Sequence, residues 1–327
     1  MLNSIGTSYS KVMTLDYHGK SRNFPDIIIL GAAKCGTTTL AFYLKQHPDV
    51  FIPRKEPGFF AFHGRPQHEI PSGIRERQMV DADKYTDMYK GAGERLICDS
   101  SVAHFTNHNS TIKNINDVYG ENPKNVKTVL VLRNPADRAF SHYLMFVKNG
   151  LEHLSFEEAI LPENVEKRID QQLGFDYLGG SLYYERVAAF LEAFPQTKVY
   201  ITEDLKKKKE LLHDFLDFCG LRKDVEIDVE TRLNPSGLPK NKGLIRALHQ
   251  RNFVKQILKK VLPDKIQFKL TAAKSRMIEK SIERVEMNPE TRTKVLEEVF
   301  FQDIEKLEKL IGRDLSGWKS AVKVVKE

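Results

Sequence analysis

Apolar residues fall in two kinds of pattern along this chain. The first kind is continuous. "DIIILG" (26–31) and "KTVLVLR" (127–133) are apolar at successive positions and rich in β-branched residues, the pattern of parallel strands buried on both faces. "TKVYITEDL" supplies a third strand and leads into a helix that ends near Gly220, and "RLICD" (95–99) is a shorter strand. The second kind recurs at helical spacing. "TTTLAFYLKQHP" reads as a helix stopped by Pro48. Asn134 caps another, with Pro135 at its first position, running to about Lys148. The C-terminal third is helical: after an Asn288–Pro289 start, Val295, Leu296, Val299, Phe300, Ile304, Leu307 and Leu310 recur until Gly312.

Strands alternate with helices, which predicts a P-loop-like, three-layer α/β fold: a central, mainly parallel sheet flanked by helices, with a helical C-terminal third. No internal repeat or low-complexity linker divides the chain. One α/β domain is expected over residues 25–320, after a polar leader at 1–24 and before a tail at 321–327. Right-handed crossovers bring the C-terminal ends of the strands to one edge. The loops after Leu30 and Leu132, far apart in sequence, are therefore expected on one rim.

Those two loops carry the candidate chemistry. Gly31-Ala32-Ala33-Lys34-Cys35-Gly36-Thr37-Thr38 joins a strand to a helix, and backbone N–H groups at such a turn collect an anion. Gly31 and Gly36 allow the tight turn, and Thr37 and Thr38 add hydroxyls. An ATP or GTP loop places lysine directly after its second glycine. Here Thr37 holds that position and Lys34 lies inside the loop, placed to meet a bridging oxygen as a point charge. Cys35 reads as a small filler, with no base assigned to it.

The second loop ends its strand with Arg133, where a nucleotide hydrolase would hold magnesium with an acid. Arginine repels a metal and offers a fork of donors to phosphate oxygens. Ser141, in the following helix, can turn a hydroxyl to the same place. One loop for a diphosphate-like group and Arg133 for a separate phosphate imply a nucleotide phosphorylated at two ends.

Composition adjusts this picture slightly. Hydrophobic residues make up 41% of 327, enough for a sizeable core. The net charge, 51 − 44 = +7, suits an anionic ligand and is not gathered in a tail; "KKKK" (206–209) reads as a solvated helix face. Three widely spaced cysteines, with no Cys/His cluster, imply a reducing compartment, no disulfide and no metal. No signal-peptide pattern and no apolar run of about 18 residues is present, so no membrane span and a cytoplasmic location are expected. No stretch resembles a nucleic-acid module. Oligomeric state is not readable from the chain.

Together "GAAKCGTTTL" and "LRNPADRAFSHY" resemble the 5′-phosphosulfate loop and the 3′-phosphate segment of sulfotransferases that use 3′-phosphoadenosine 5′-phosphosulfate (PAPS), most closely the soluble bacterial branch related to heparan-sulfate sulfotransferases. The similarity continues through "RKEPGFF", "GGSLYYERVAAFLEAFP", "RLNPSGLPKNKGL" and "IEKLEKLIGRDLSGW", covering roughly residues 25–318. It implies that the loop of Lys34, Cys35, Gly36, Thr37 and Thr38 holds the phosphosulfate, that Arg133 and Ser141 hold the 3′-phosphate, and that Lys240, Lys242 and Gly243 belong to a basic loop closing over the nucleotide. The implied reaction is in-line sulfuryl transfer from PAPS, without a metal, to a hydroxyl or amine of a small-molecule, lipid or glycan acceptor, leaving 3′,5′-diphosphoadenosine (PAP). Glu56 is the candidate base, with Lys55 beside the sulfuryl group. Carbohydrate-acting relatives usually carry a histidine two residues after this glutamate, where this chain has Gly58. His104 is the rival base, and Asp99 or Ser100 can line the acceptor cleft. Tyr183 and Tyr184 are candidates for packing on adenine or substrate, with ordinary core packing the alternative. A P-loop kinase and a non-enzymatic binder of anionic glycan are the competing functions.

Overall fold

Strand β3 (Ile27–Gly31) is the centre of the molecule, and all five of its residues are buried. The structure, a computed structural model, describes residues 13–54, 56–120, 123, 126–169, 174–231, 237–240, 270, 273, 277 and 280–320. Lys55, Lys242, Gly243 and the 321–327 tail lie outside the described residues.

Before β3 comes a hairpin, β1 (Thr14–Tyr17) and β2 (Lys20–Asn23). Part of the polar leader expected over 1–24 thus forms regular structure. Its two-residue turn, His18-Gly19, has φ of 53° and 68°, the left-handed pair that matches hairpin twist. Tyr17 and Phe24 are buried, and the Tyr17 hydroxyl meets His63 Nε2 at 2.9 Å. Two four-residue strands, the second (Lys20–Asn23) without an apolar residue, leave too short a period to stand out in sequence.

Five strands form the main sheet: β4 (Val50–Phe51), β5 (Leu96–Ser100), β3, β6 (Lys127–Leu132) and β7 (Thr197–Ile201), in that spatial order. Every neighbouring pair is parallel. The two continuous apolar runs, β3 and β6, lie where such runs must lie, inside the sheet, whereas β7 is an edge strand with its first three residues half-buried. Ile27, Ile28, Ile29 and Leu30 are each 0% exposed, so each contributes roughly 1.5–3 kcal/mol by burial. β4, only two residues long, was not legible in the sequence.

The order has a consequence for function. From β3 the chain steps to one side, to β4 and β5; it then crosses to β6 and β7 on the other side. Connections therefore diverge between β3 and β6, and a crevice opens over their carboxyl ends. A bulge at the end of β3, where Ile29 pairs with Val129 but Gly31 with Leu130, turns the chain into the first loop.

The helices behave as their signals require. Thr37–Gln46 follows β3. Pro135–Lys148 follows β6 and is capped by Asn134, whose side chain accepts from the Ala136 and Asp137 N–H groups. Lys208–Cys219 stops at Gly220, with φ of 72°. In the C-terminal part, Asn288 caps Pro289–Val295; a π-helical stretch, Leu296–Phe300, leads into Phe301–Ile311, ended by Gly312. Val295, Leu296, Phe300, Ile304 and Leu307 are buried as the spacing predicts, whereas Leu310 stands at the margin of the stripe and is exposed. β8 (Leu238–Pro239) pairs antiparallel with β9 (Ile282–Glu283).

Asp26 ties the hairpin to the sheet on the edge away from the crevice. Its carboxylate accepts the N–H groups of Met13 at 3.2 Å and Ile97 at 2.7 Å. Burial outweighs these bonds and pushes its pKa up to about 6. A carboxyl raised in the fold favours folding fully below its unfolded pKa, and that contribution is lost as pH rises through about 6. The unfolding free energy of the native chain, measured against Asp26→Asn in urea, should therefore fall by on the order of 2–3 kcal/mol between pH 4 and pH 7. A difference that stays flat across this window would show that Asp26 is not held in this way.

Candidate active site

The first loop is shaped by two backbone positions and two glycines. Lys34 and Gly36 have φ of 70° and 102°, so the chain curls tightly before the helix begins. A Cβ at Gly31 would lie 2.5 Å from Phe105 Cβ, and one at Gly36 would lie 2.4 Å from Leu205 Cδ1. Glycine is needed at both for close packing as well as for the turn. Gly36 is the N-cap of Thr37–Gln46 and provides no side-chain cap. Thr39 N–H is given to Gly36 O at 2.8 Å, and the positive end of the helix dipole lies at the loop. Thr37 is buried and Thr38 half-buried in this first turn.

Cys35 is placed as the small filler its sequence position suggests. Its side chain is 0% exposed, with Sγ 3.7 Å from the Tyr183 hydroxyl, and its N–H is given to Ala32 O at 3.3 Å. It fills the core beneath the loop and offers nothing further to a ligand. Burial pushes its thiol up, against the pull of Arg138, Arg133 and Lys34.

The second loop meets the first. Arg133, at the end of β6, directs Nη1 to the carbonyl oxygen of Lys34 at 3.5 Å. Ser141, 4% exposed, lies on the helix that follows. The loops that carry Lys34 and Arg133 thus meet where the chain reverses between β3 and β6. Lys240 follows β8, which runs beside the Pro135–Lys148 helix; its N–H binds Ser281 O at 2.9 Å and its side chain is exposed.

Glu56 stands on the same edge, one strand away. Its N–H donates to Ser100 O at 2.9 Å, Ser100 ends β5 opposite Ile29 of β3, and the Glu56 side chain is exposed. A buried network holds its loop. Tyr85 and Ser101 hydroxyls donate to the two oxygens of Asp99 at 2.6 and 2.7 Å, and Ser101 Oγ accepts the Gly58 N–H at 3.0 Å. Asp99 is therefore occupied under the loop and does not line an open cleft. Gly58, the departure from the relatives' pattern, has φ of 68°, and a Cβ there would lie 1.8 Å from Gln78 Oε1. A histidine at position 58 would therefore have to displace the Gln78 side chain and hold a left-handed φ.

His104 is sealed. It is 0% exposed, its ring is 5.8 Å from that of Phe60, and neither ring nitrogen has a hydrogen-bond partner among the described residues. Burial lowers its pKa despite the charge of Asp99. Ser100 Oγ nearby is likewise buried and without a partner. Tyr183 is also wholly buried, its ring against Phe105 and Trp318, so it packs the core; Tyr184 is half-buried, with Lys306 Nζ 5.6 Å from its ring centroid.

One residue of this site was not singled out from sequence. Arg138, on the helix after β6, is 2% exposed and bonds to Ala33 O, Tyr177 O, Ser181 Oγ and His142. It sits in the quoted "RNPADRAFSHY", where an arginine one turn into a helix reads as solvated. Burial, then Arg138, then Lys34 hold the His142 ring well below the usual imidazole range, hence neutral.

The chain belongs to the sulfotransferase family, whose sequence pattern matches residues 25–222, more than half of its length. That span runs from β3 through the Lys208–Cys219 helix and includes both loops and Glu56. Among curated relatives, the membrane-associated sulfotransferase kil1 of Dictyostelium discoideum is 28% identical over 153 residues, 43% of this chain and 29% of that protein. Heparan sulfate glucosamine 3-O-sulfotransferase 3B1 of Mus musculus is 26% identical over 206 residues, 62% of this chain and 48% of that protein. The chain thus spans less than half the length of these relatives. The crystal structure of a sulfotransferase from Alicyclobacillus acidocaldarius superposes with a TM-score of 0.67 at 27% identity, over 91% of this chain and 99% of that one. No helix among the described residues is long and apolar enough to cross a membrane, and no group of three or more His, Cys, Asp or Glu residues among them is placed to hold a metal ion.

Cys35, Cys98 and Cys219 are buried and unpaired with one another, and burial raises the pKa of each, that of Cys219 to about 12. A thiol reagent such as dithiobisnitrobenzoate should find almost none of the three thiols in the native protein at pH 8 and all of them after unfolding. Rapid modification of Cys35 in the native state would contradict the burial described.

Proposed function

We propose that this protein is a PAPS-dependent sulfotransferase that moves a sulfuryl group to a hydroxyl of a carbohydrate, lipid or small-metabolite acceptor. The observation that carries this reading is the junction of Arg133 with Lys34 over the carboxyl ends of β3 and β6. Two anion-directed loops share one crevice, at a separation set by adjacent strands. A nucleotide with phosphate at both its 3′ and 5′ ends fits such a pair; one with a single phosphate chain leaves Arg133 without a purpose.

The residues present suit that ligand. The uncapped helix N-terminus with Thr37 and Thr38 would receive the 5′-phosphosulfate, and Arg133 with Ser141 the 3′-phosphate. The bound nucleotide supplies an activated sulfuryl group. Lys34 neutralises the charge that develops on the departing 5′-phosphate oxygen. Glu56 accepts the proton of the acceptor hydroxyl. It is preferred to His104 because it is exposed on the rim, whereas His104 is enclosed. Holding donor and acceptor in line provides the remainder of the acceleration. Arg133, standing where a magnesium-holding acid would end β6, speaks against a P-loop kinase. Three buried, unpaired cysteines suit a reducing compartment, and we place the protein in the cytoplasm.

PAP without magnesium should raise the melting temperature, because a ligand that binds only the native state stabilises it by mass action. Stabilisation by ATP with magnesium alone would favour the kinase, and heparin binding with no nucleotide response would favour a glycan binder. With labelled PAPS and a cell metabolite extract, Lys34→Ala should lower sulfated product by about 10²–10³-fold. Glu56→Gln should keep PAP binding and lower product by about 10²–10⁴-fold. Undiminished product from Glu56→Gln would remove Glu56 as the base.

A further inference from the structure

Arg138 carries a charge that the protein surrounds with neutral acceptors. Its Nε donates to Ala33 O at 3.2 Å, and Nη1 to Tyr177 O at 3.3 Å and Ser181 Oγ at 3.0 Å. Its Nη2 lies 3.0 Å from Nδ1 of the neutral His142. Among the described residues no carboxylate forms an ion pair with it. Asp176 is the acid whose charge acts on it, and Asp176 Oδ1 is taken by the Gly179 N–H at 2.7 Å. A second guanidinium, Arg186, approaches from the other side of the Gly179–Ser181 turn, donating to Gly179 O at 2.9 Å, and the two cations repel each other. Gly180 makes room for the fork: a Cβ there would lie 2.9 Å from Arg138 Nη1. A buried charge without an opposite charge is costly to keep, so its retention calls for an anion in the working state.

The grip on Ala33 gives that charge a position. Arg138 holds the carbonyl before Lys34, and Arg133 reaches the carbonyl of Lys34 itself. The peptide planes on both sides of Lys34 are thereby fixed, and Lys34 is the residue held at φ of 70°, a left-handed conformation that a non-glycine residue keeps only when its surroundings enforce it. The direction in which the Lys34 side chain leaves the backbone follows from those two planes.

We propose that Arg138 is a positioning residue for the sulfuryl donor: it clamps the loop so that Lys34 faces the crevice, and its charge, held in no ion pair among the described residues, adds to the positive field that receives the nucleotide. This rests on the nucleotide reading given above. The test is PAP affinity by calorimetry at two salt concentrations, with ligand-free melting temperatures, for the native chain, Arg138→Met and Arg138→Lys. Arg138→Met should weaken PAP binding by roughly 100-fold and flatten its salt dependence. Arg138→Lys, which restores charge but not the fork, should recover about half of that loss on a logarithmic scale and regain the salt dependence. If both variants fold and bind PAP within about twofold of the native chain, with equal salt dependence, the proposal is overturned while the nucleotide reading stands. If the native chain does not bind PAP, both fall. Should neither arginine variant fold, Ser181→Ala decides: it slackens the fork with the charge kept, and should weaken PAP binding about threefold. Unchanged affinity in Ser181→Ala would then overturn the proposal.

Discussion

A sheet whose connections diverge between β3 and β6 leaves a gap above the ends of those two strands, and the two loops that leave them have to meet across it. Everything at the site follows from this constraint. β3 and β6 are neighbours through direct parallel pairing, so the loop after Gly31 and the turn at Arg133 begin one strand spacing apart. The Arg133 contact with the Lys34 carbonyl is the visible sign of that proximity.

Charge is distributed unevenly about the gap. On the side of β6, Lys34, Arg133, Arg138 and Arg186 gather with a neutral His142, and the described hydrogen bonds of Arg138 go to neutral acceptors. On the side of β5, a buried acid, Asp99, is covered by the hydroxyls of Tyr85 and Ser101 and serves to hold the Glu56–Gly58 turn. Cations lie on one side, and the exposed carboxylate of Glu56 stands on the other. Such separation suits a reaction in which negative charge leaves towards one wall and a proton leaves towards the opposite one.

Much of the sheet was legible in advance because its strands are buried on both faces, and a continuous apolar run has few other places to go. β1 and β2 were not, since their anchoring rests largely on contacts distant in sequence, with Phe24 packed in the layer of Phe59, Tyr85 and Tyr119 and Tyr17 against Phe24. The glycine-bearing loop and Arg133 were legible because a turn that receives an anion needs particular residues at particular spacing. Arg138 was not, because nothing in a local pattern separates a solvated arginine from one whose acceptors lie on Ala33, Tyr177 and Ser181. For the same reason Tyr183 stood open between ligand and core until the fold buried it against Cys35, the small filler of the loop. His104 was a candidate base until its ring proved enclosed.

By itself, then, the sequence determined the alternation of strands and helices, the ends of the helices, and the two loops chemically suited to an anion, since each depends on contacts within a few residues. Only the tertiary structure decided which strands are neighbours, which neutral groups take the hydrogen bonds of Arg138, and which of two candidate bases reaches the surface. Those are matters of distance between residues dozens of positions apart, and distance of that kind exists only once the chain has packed.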